Sequence, residues 1–167
     1  MSERPPATDP AHFRKVLGHF PTGVTVVTAM DGTQPTGLAI GSFTSVSLDP
    51  PLVAFLPTKT SGSYAAIEKA QAFCVNVMAD DQKALTGVFA SKAEDKFAGV
   101  DWEPGPVTGS PKLGGVLAWM DCKVQTIYDG GDHWIVVGAV QEMDVEDREA
   151  GPLLFYTGAY GTFAAQA

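Results

Sequence analysis

Apolar positions along this chain follow two periods in turn. Phe13, Val16, Leu17 and Phe20 recur at helical spacing and make one stripe. Thr8-Asp9-Pro10 precedes them, with Asp9 as N-cap and Pro10 at the first helical position, and Pro21-Thr22-Gly23 closes the helix. From Val24 the pattern changes. Val24 to Ala29 is β-branched, Asp31-Gly32 is a hairpin-type turn, and Thr36 to Phe43 is the antiparallel return. Leu52 to Leu56 and Phe73 to Met78 are short apolar strands. Val116 to Tyr128 and His133 to Val140 are longer ones, joined through Asp129-Gly130-Gly131-Asp132, and Pro152 to Tyr156 begins the last. Two more helices are predicted: Tyr64 to Ala70, and a segment capped by Asp80 or Asp81 that runs through Leu85, Val88 and Phe89. Ala93 to Phe97 is charged and reads as a solvated helix turn. Val100 to Gly115, rich in proline and glycine, reads as a long surface loop, of a kind that often serves as a lid or contact. About seven strands against three short helices, arranged mostly as hairpins, predict a mainly β fold: an antiparallel sheet that closes into a barrel.

The stretch Gly37 to Pro51 stands apart from the rest. It starts as a strand, passes through Gly41-Ser42-Phe43-Thr44-Ser45-Val46-Ser47, and stops at Asp49-Pro50-Pro51. Small residues let a flat ligand approach the backbone, and hydroxyls and N–H groups can bind its polar rim. Strand alternation puts Ser45 and Ser47 on one face, with Val46 and Leu48 as an apolar anchor on the other. An ordinary hydroxyl-rich strand has the same pattern, so both readings stand. Pro57 to Ser63 is the second such place. Its hydroxyls and Lys59 lead into a helix N-terminus, which suits an anion and equally suits plain N-capping by Ser61 or Ser63.

With 167 residues, 45% of them hydrophobic and 18% charged, the chain is one globular domain over 1–167, with residues 1–8 as a loose polar arm. The net charge of −8, without a basic cluster, argues against nucleic acid and anionic membrane as partners. Cys74 and Cys122 sit in apolar runs and read as buried thiols of a reducing cytoplasm. No apolar run is long enough for a membrane helix, and the polar N-terminus is not a signal peptide. His12 and His19 are read as rim residues, because no Cys or carboxylate cluster completes a metal set around them. There is no Gly-x-Gly-x-x-Gly unit, no Gly-Lys-Ser/Thr phosphate loop and no Gly-x-Ser-x-Gly elbow.

Several stretches, in order, resemble the flavin reductase family with the FMN-binding split-barrel fold, the small reductase components of two-component flavin monooxygenases. They are Phe20 to Thr28, Gly37 to Pro51, Lys59-Thr60-Ser61-Gly62-Ser63, Phe73 to Val77, Phe89-Ala90-Ser91 with Asp95-Lys96-Phe97, Gly131-Asp132-His133, and Pro152 to Tyr156 with Gly161. The resemblance implies NAD(P)H-dependent reduction of FMN or FAD, with NADH or NADPH as hydride donor, a homodimer, and reduced flavin handed to a separate oxygenase. It implies that Ala39, Ile40, Gly41 and Ser42 run beside the isoalloxazine and offer backbone groups to its pyrimidine edge. Ser45, Val46 and Ser47 are expected at the ring and the ribityl–phosphate arm, and Thr60, Ser61 and Ser63 near the phosphate. Phe89, Ala90 and Ser91 are expected at the phosphate end, or beside the adenosine half of FAD. His133 faces the nicotinamide, with Tyr160 a weaker candidate, and no acid or base residue is obligatory. One departure stands out: many relatives carry a side-chain hydrogen-bonder where this chain has Gly41.

Two alternatives share the fold. One is a flavin carrier or sensor without reductase activity. The other is an oxidase of the pyridoxamine-phosphate type, disfavoured by the sparse 11 Lys and Arg residues.

Overall fold

The computed structural model describes residues 5–165, so the polar arm expected over residues 1–8 lies partly outside the described residues. Helix α1 (Pro10–Leu17) starts as expected, with the Asp9 carboxylate accepting from the amides of Ala11 and His12. Twelve strands follow among the described residues. β1 is Thr22–Gly23, β2 is Thr25–Asp31, β3 is Gln34–Ile40, β4 is Phe43–Leu48 and β5 is Pro51–Phe55. Helix α2 (Gly62–Ala70) leads to β6 (Ala72–Val77), and a 3-10 turn at Asp80–Gln82 leads to α3 (Lys83–Ala90). β7 is Trp102–Pro104, β8 is Pro111–Leu113, β9 is Ala118–Gly130, β10 is His133–Val145, β11 is Leu154–Tyr156 and β12 is Ala159–Gly161.

Seven strands form one antiparallel sheet in the order β3-β2-β6-β9-β10-β5-β4. Its outermost strands, β3 and β4, are consecutive in the chain and joined only by Gly41 and Ser42. The sheet must therefore curl back on itself into a barrel whose two free edges meet at that corner. The hairpin turns fall where the sequence puts them: Gly32 and Gly131 carry φ of +62° and +82°, which glycine adopts without strain.

The inner face of the barrel holds Val27, Leu38, Ile40, Val53, Phe55, Phe73, Val75, Cys122 and Val136, closed off by Tyr64 and Ile67 of α2. A second core lies on the outer face, where Val24, Val26, Cys74 and Met78 meet Phe89, Phe97, Leu113 and Trp119. The long loop expected over Val100 to Gly115 is instead organised around the small β7–β8 hairpin. Two buried polar residues pin it. Asp121 accepts from the amides of Val107 and Thr108, and Asn76 accepts from Leu113 N at 2.8 Å while donating to Pro111 O at 3.3 Å. The charged segment before it is no solvated helix turn either: Phe97 is buried edge-on against Phe89, with ring centroids 5.1 Å apart.

Among the described residues, no helix is long and apolar enough to cross a membrane.

Candidate functional site

A sheet edge carries N–H and C=O groups without strand partners. Here two such edges run out from the Gly41–Ser42 corner. The corner is held by the Ser42 hydroxyl, which donates to Leu56 O at 3.1 Å and lies 3.3 Å from Leu56 N, so it ties β3–β4 to the end of β5. Ile40 turns its side chain into the core, and its carbonyl accepts the Thr25 hydroxyl at 3.0 Å. At Gly41 an added Cβ would lie 2.9 Å from Thr22 Oγ1, so a larger residue there requires the Thr22 side chain to turn away. At these positions the backbone, not the side chain, is what remains to meet a ligand.

The alternation expected for Ser45 to Leu48 fails on the structure. A β-bulge sits between Ser45 and Ser47, which pair with Val53 and Leu52. Val46 is 51% exposed and Leu48 is 94% exposed, so neither anchors the strand in this chain's core.

Beside β3 lies a hollow of about 650 Å3, bounded by Thr36, Leu38 and Ala39 of β3, by Thr58 and Thr60 to Ser63, and by Phe89 to Ala93 with Lys96. It gathers seven of the residues singled out from the sequence: Ala39, Thr60, Ser61, Ser63, Phe89, Ala90 and Ser91. Ser45, Val46 and Ser47 do not line it. Ser61 is the N-cap of α2 and accepts from Tyr64 N at 3.2 Å. The amides of Gly62 and Ser63 in the same first turn find no partner among the described residues. The Ser91 hydroxyl is committed to the end of α3, donating to Val88 O at 2.7 Å.

The loop before α2 is clamped to the tip of the β9–β10 hairpin. Trp134 N donates to Pro57 O and Lys59 N to Asp132 O, each at 3.0 Å, and Thr58 bridges His133. The Lys59 ammonium stands 4.4 Å above the Trp134 ring and 2.5 Å from the Asp129 carboxylate, which its hydrogen bond holds below the usual carboxylate range. The His133 imidazole meets Asp132 at 2.7 Å and holds that carboxyl low in the same way. Tyr160 is elsewhere, on the three-stranded sheet β1-β11-β12, edge-on to Phe155.

A second, apolar hollow of about 730 Å3 lies at the corner itself, walled by Leu17, Phe20, Val24, Phe43, Leu56 and Phe155. Among the described residues, no group of three or more His, Cys, Asp or Glu is placed to hold a metal ion.

Residues 17–164 match the family described as Flavin reductase like domain. The chain belongs to the flavin reductase family. It is 53% identical over 160 residues to a flavin reductase of Pseudomonas putida, an alignment covering 95% of this chain and 93% of that one. It is 53% identical over 154 residues to the reductase subunit HsaB of a flavin-dependent monooxygenase from Rhodococcus jostii, covering 92% and 78%. Among solved structures it is similar to the NADH:FAD oxidoreductase of Streptomyces globisporus in complex with NAD and FAD fragments. The TM-score there is 0.92 at 36% identity, with 99% of each chain covered. The curled antiparallel sheet is thus the split β-barrel of that family, and the protein is an oxidoreductase, a flavin reductase.

Sequence reasoning missed Lys96, Lys92 and Thr36 at the hollow. Asp95-Lys96-Phe97 did carry a signal: one large apolar residue directly after charged ones marks a segment pinned to the surface rather than solvated.

Proposed function

We propose that this flavin reductase transfers hydride from NADH or NADPH to FMN or FAD and releases the reduced flavin to a separate monooxygenase component. When bound, the flavin supplies the acceptor for that hydride. The observation that carries the reading is the pairing of two open sheet edges with a hydroxyl-rich hollow. The edges offer backbone donors to a flat ring, and the hollow offers free helix-turn amides to a phosphate. A hollow of about 650 Å3 also falls within the roughly 300–1,000 Å3 of small-molecule sites.

We assign the backbone groups of Ala39, Ile40, Gly41 and Ser42 to the pyrimidine edge of the isoalloxazine. Their N–H groups there stabilise the negative charge that reduction brings, as oxyanion-hole donors do. Thr60, Ser61 and Ser63 take the phosphate, and Ser45, Val46 and Ser47 the outer margin of ring and ribityl arm. Phe89, Ala90 and Ser91 close the far end of the hollow. His133, at the hairpin tip, takes the nicotinamide side. The protein's work is to hold two rings in register, so no general acid or base is required.

The functional unit is a homodimer in this reading. Helix α1 buries none of its own residues: Phe13, Val16 and Leu17 are half exposed, and Phe20, just beyond its end, is 71% exposed. A second copy covers such a stripe with its own, as two-fold interfaces do. Cys74 and Cys122, both buried and unpaired, suit the cytoplasm.

The test is turnover with excess free flavin. Purified protein mixed with FMN or FAD and each reduced nicotinamide in turn should oxidise many equivalents of nicotinamide per protein. A single stoichiometric burst would make the protein a flavin carrier instead.

A further inference from the structure

The Lys96 ammonium donates to three neutral acceptors: Gly37 O at 3.2 Å, Phe89 O at 3.0 Å and Ser63 Oγ at 3.4 Å. It thereby ties β3, the end of α3 and the start of α2 together at the hollow that all three border. An ammonium has three N–H donors and no lone pair, so these bonds exhaust it. Among the described residues, no carboxylate lies within ion-pairing distance of it, and none lines the hollow, while Lys92 stands exposed on the same rim. In a chain of net charge −8, this hollow is a local cationic spot whose charge the protein itself leaves uncancelled.

The contact with Ser63 has a direction. Lys96 can only donate, so the Ser63 oxygen accepts, and the hydroxyl proton must turn away from the lysine. Ser63 lines the hollow, so that proton is free to be donated to an anion there. The same oxygen left without Lys96 can turn either way, and it competes for a donor instead of acting as one.

We propose that Lys96 is a positioning residue for the flavin phosphate: it fixes Ser63 as a hydrogen-bond donor into the hollow and supplies the charge that a phosphate, and not the ring, requires. The inference rests on the flavin-binding reading above and adds to it a source of discrimination between phosphorylated and unphosphorylated flavin. Burial also lowers the pKa of the ammonium, as desolvation without a carboxylate partner must. An anion in the hollow reverses that penalty, so phosphate and lysine stabilise one another.

The experiment compares FMN and riboflavin binding, by quenching of flavin fluorescence, in the wild type, Lys96→Met, Lys96→Arg and Ser63→Ala. Lys96→Met should weaken FMN about 10- to 100-fold, the range for a lost charge-assisted contact, and riboflavin less than about 3-fold. Lys96→Arg should recover most of the FMN preference, and Ser63→Ala should lose part of it while the lysine remains. Should the FMN-to-riboflavin ratio survive Lys96→Met in a protein of unchanged thermal midpoint, the lysine is only a structural tie and the proposal is overturned. If Lys96→Met does not fold, the decision passes to Ser63→Ala: an unchanged ratio there overturns the proposal in the same way. Failure of the wild type to bind either flavin would sink the functional reading instead. The lysine is then judged with inorganic phosphate as the probe, whose protection of the wild type against heat should be absent in Lys96→Met. Equal protection of both proteins would overturn the proposal.

Discussion

Gly37 stands on β3 where an added Cβ would come within 2.9 Å of Phe89 Cε1 and 3.1 Å of Val27 O. Backbone cannot yield there, so the Phe89 ring must. That ring is buried, bears on Phe97, and borders the hollow. Gly37→Ala should cost roughly 1–3 kcal/mol in denaturant unfolding, the usual penalty for overpacking, and should weaken flavin binding in step. His133 offers the opposite case. Its backbone is fixed by the bridge to Thr58 and its Nδ1 by Asp132, but its side chain is partly exposed and belongs to neither core. His133→Ala should raise KM for the reduced nicotinamide several-fold and leave the flavin dissociation constant nearly unchanged, measured by steady-state kinetics beside equilibrium titration. A large loss of flavin affinity would remove His133 from the nicotinamide side.

At the scale of elements, the strands and hairpins were open to reading because their signals are local. β-Branched runs and glycine turns gave β2–β3 and β9–β10, and Asp9-Pro10 gave α1. The pairing β2–β6–β9 was not readable, because it joins segments far apart in sequence and needs no special residue at the contact. Half of the site was legible for the same reason. Thr60, Ser61 and Ser63 advertise a helix start, whereas Lys96 reaches the hollow only through a fold that brings it beside residues 59 and 33 positions away. The bulge at Ser45–Ser47 depends on strand pairing, and the exposure of the α1 stripe on what the rest of the fold leaves uncovered, neither of which spacing alone reveals. The region over 100–115 shows the remaining mechanism: buried polar residues order what composition reads as a loop. Asn76 spends its amide nitrogen on Val26 O, Thr28 Oγ1 and Pro111 O, and its oxygen on Leu113 N. Asn76→Ala strands these buried groups and should lower stability by about 3 kcal/mol. It should also expose the β7–β8 segment first, as faster amide hydrogen exchange there than in β9. Uniform exchange across both would mean that the hairpin is held by something else.

For the molecule as a whole, the two cores on opposite faces of one sheet share a liability at high pH. Cys74 faces the outer core and Cys122 the inner one. Burial pushes the Cys74 thiol up to about 12 and drives Cys122 up as well, from ordinary values near 9. Tyr64, in the inner core, is pushed up to about 12, mainly by burial. The sign follows from which state holds the protons. Below about pH 8.5 thiols are protonated in both states and contribute no pH dependence. Above it the unfolded chain ionises while the folded chain does not, so unfolding releases protons and stability falls as pH rises. The slope is about 1.4 kcal/mol per pH unit from each thiol. Tyr64 adds to it from about pH 10, until the folded-state values are reached. Because the thiols lie in both cores, neither face can soften alone, and the loss should appear as one cooperative transition. The free energy of unfolding, followed by urea titration from pH 8 to 11, should therefore drop steeply above pH 9, and Cys74→Ala with Cys122→Ala should remove most of the drop between 9 and 10. A double variant that follows the wild-type curve through that interval would place the alkaline sensitivity outside the cores. In the same wild-type protein at pH 8, a thiol reagent should label both cysteines only as fast as the chain unfolds.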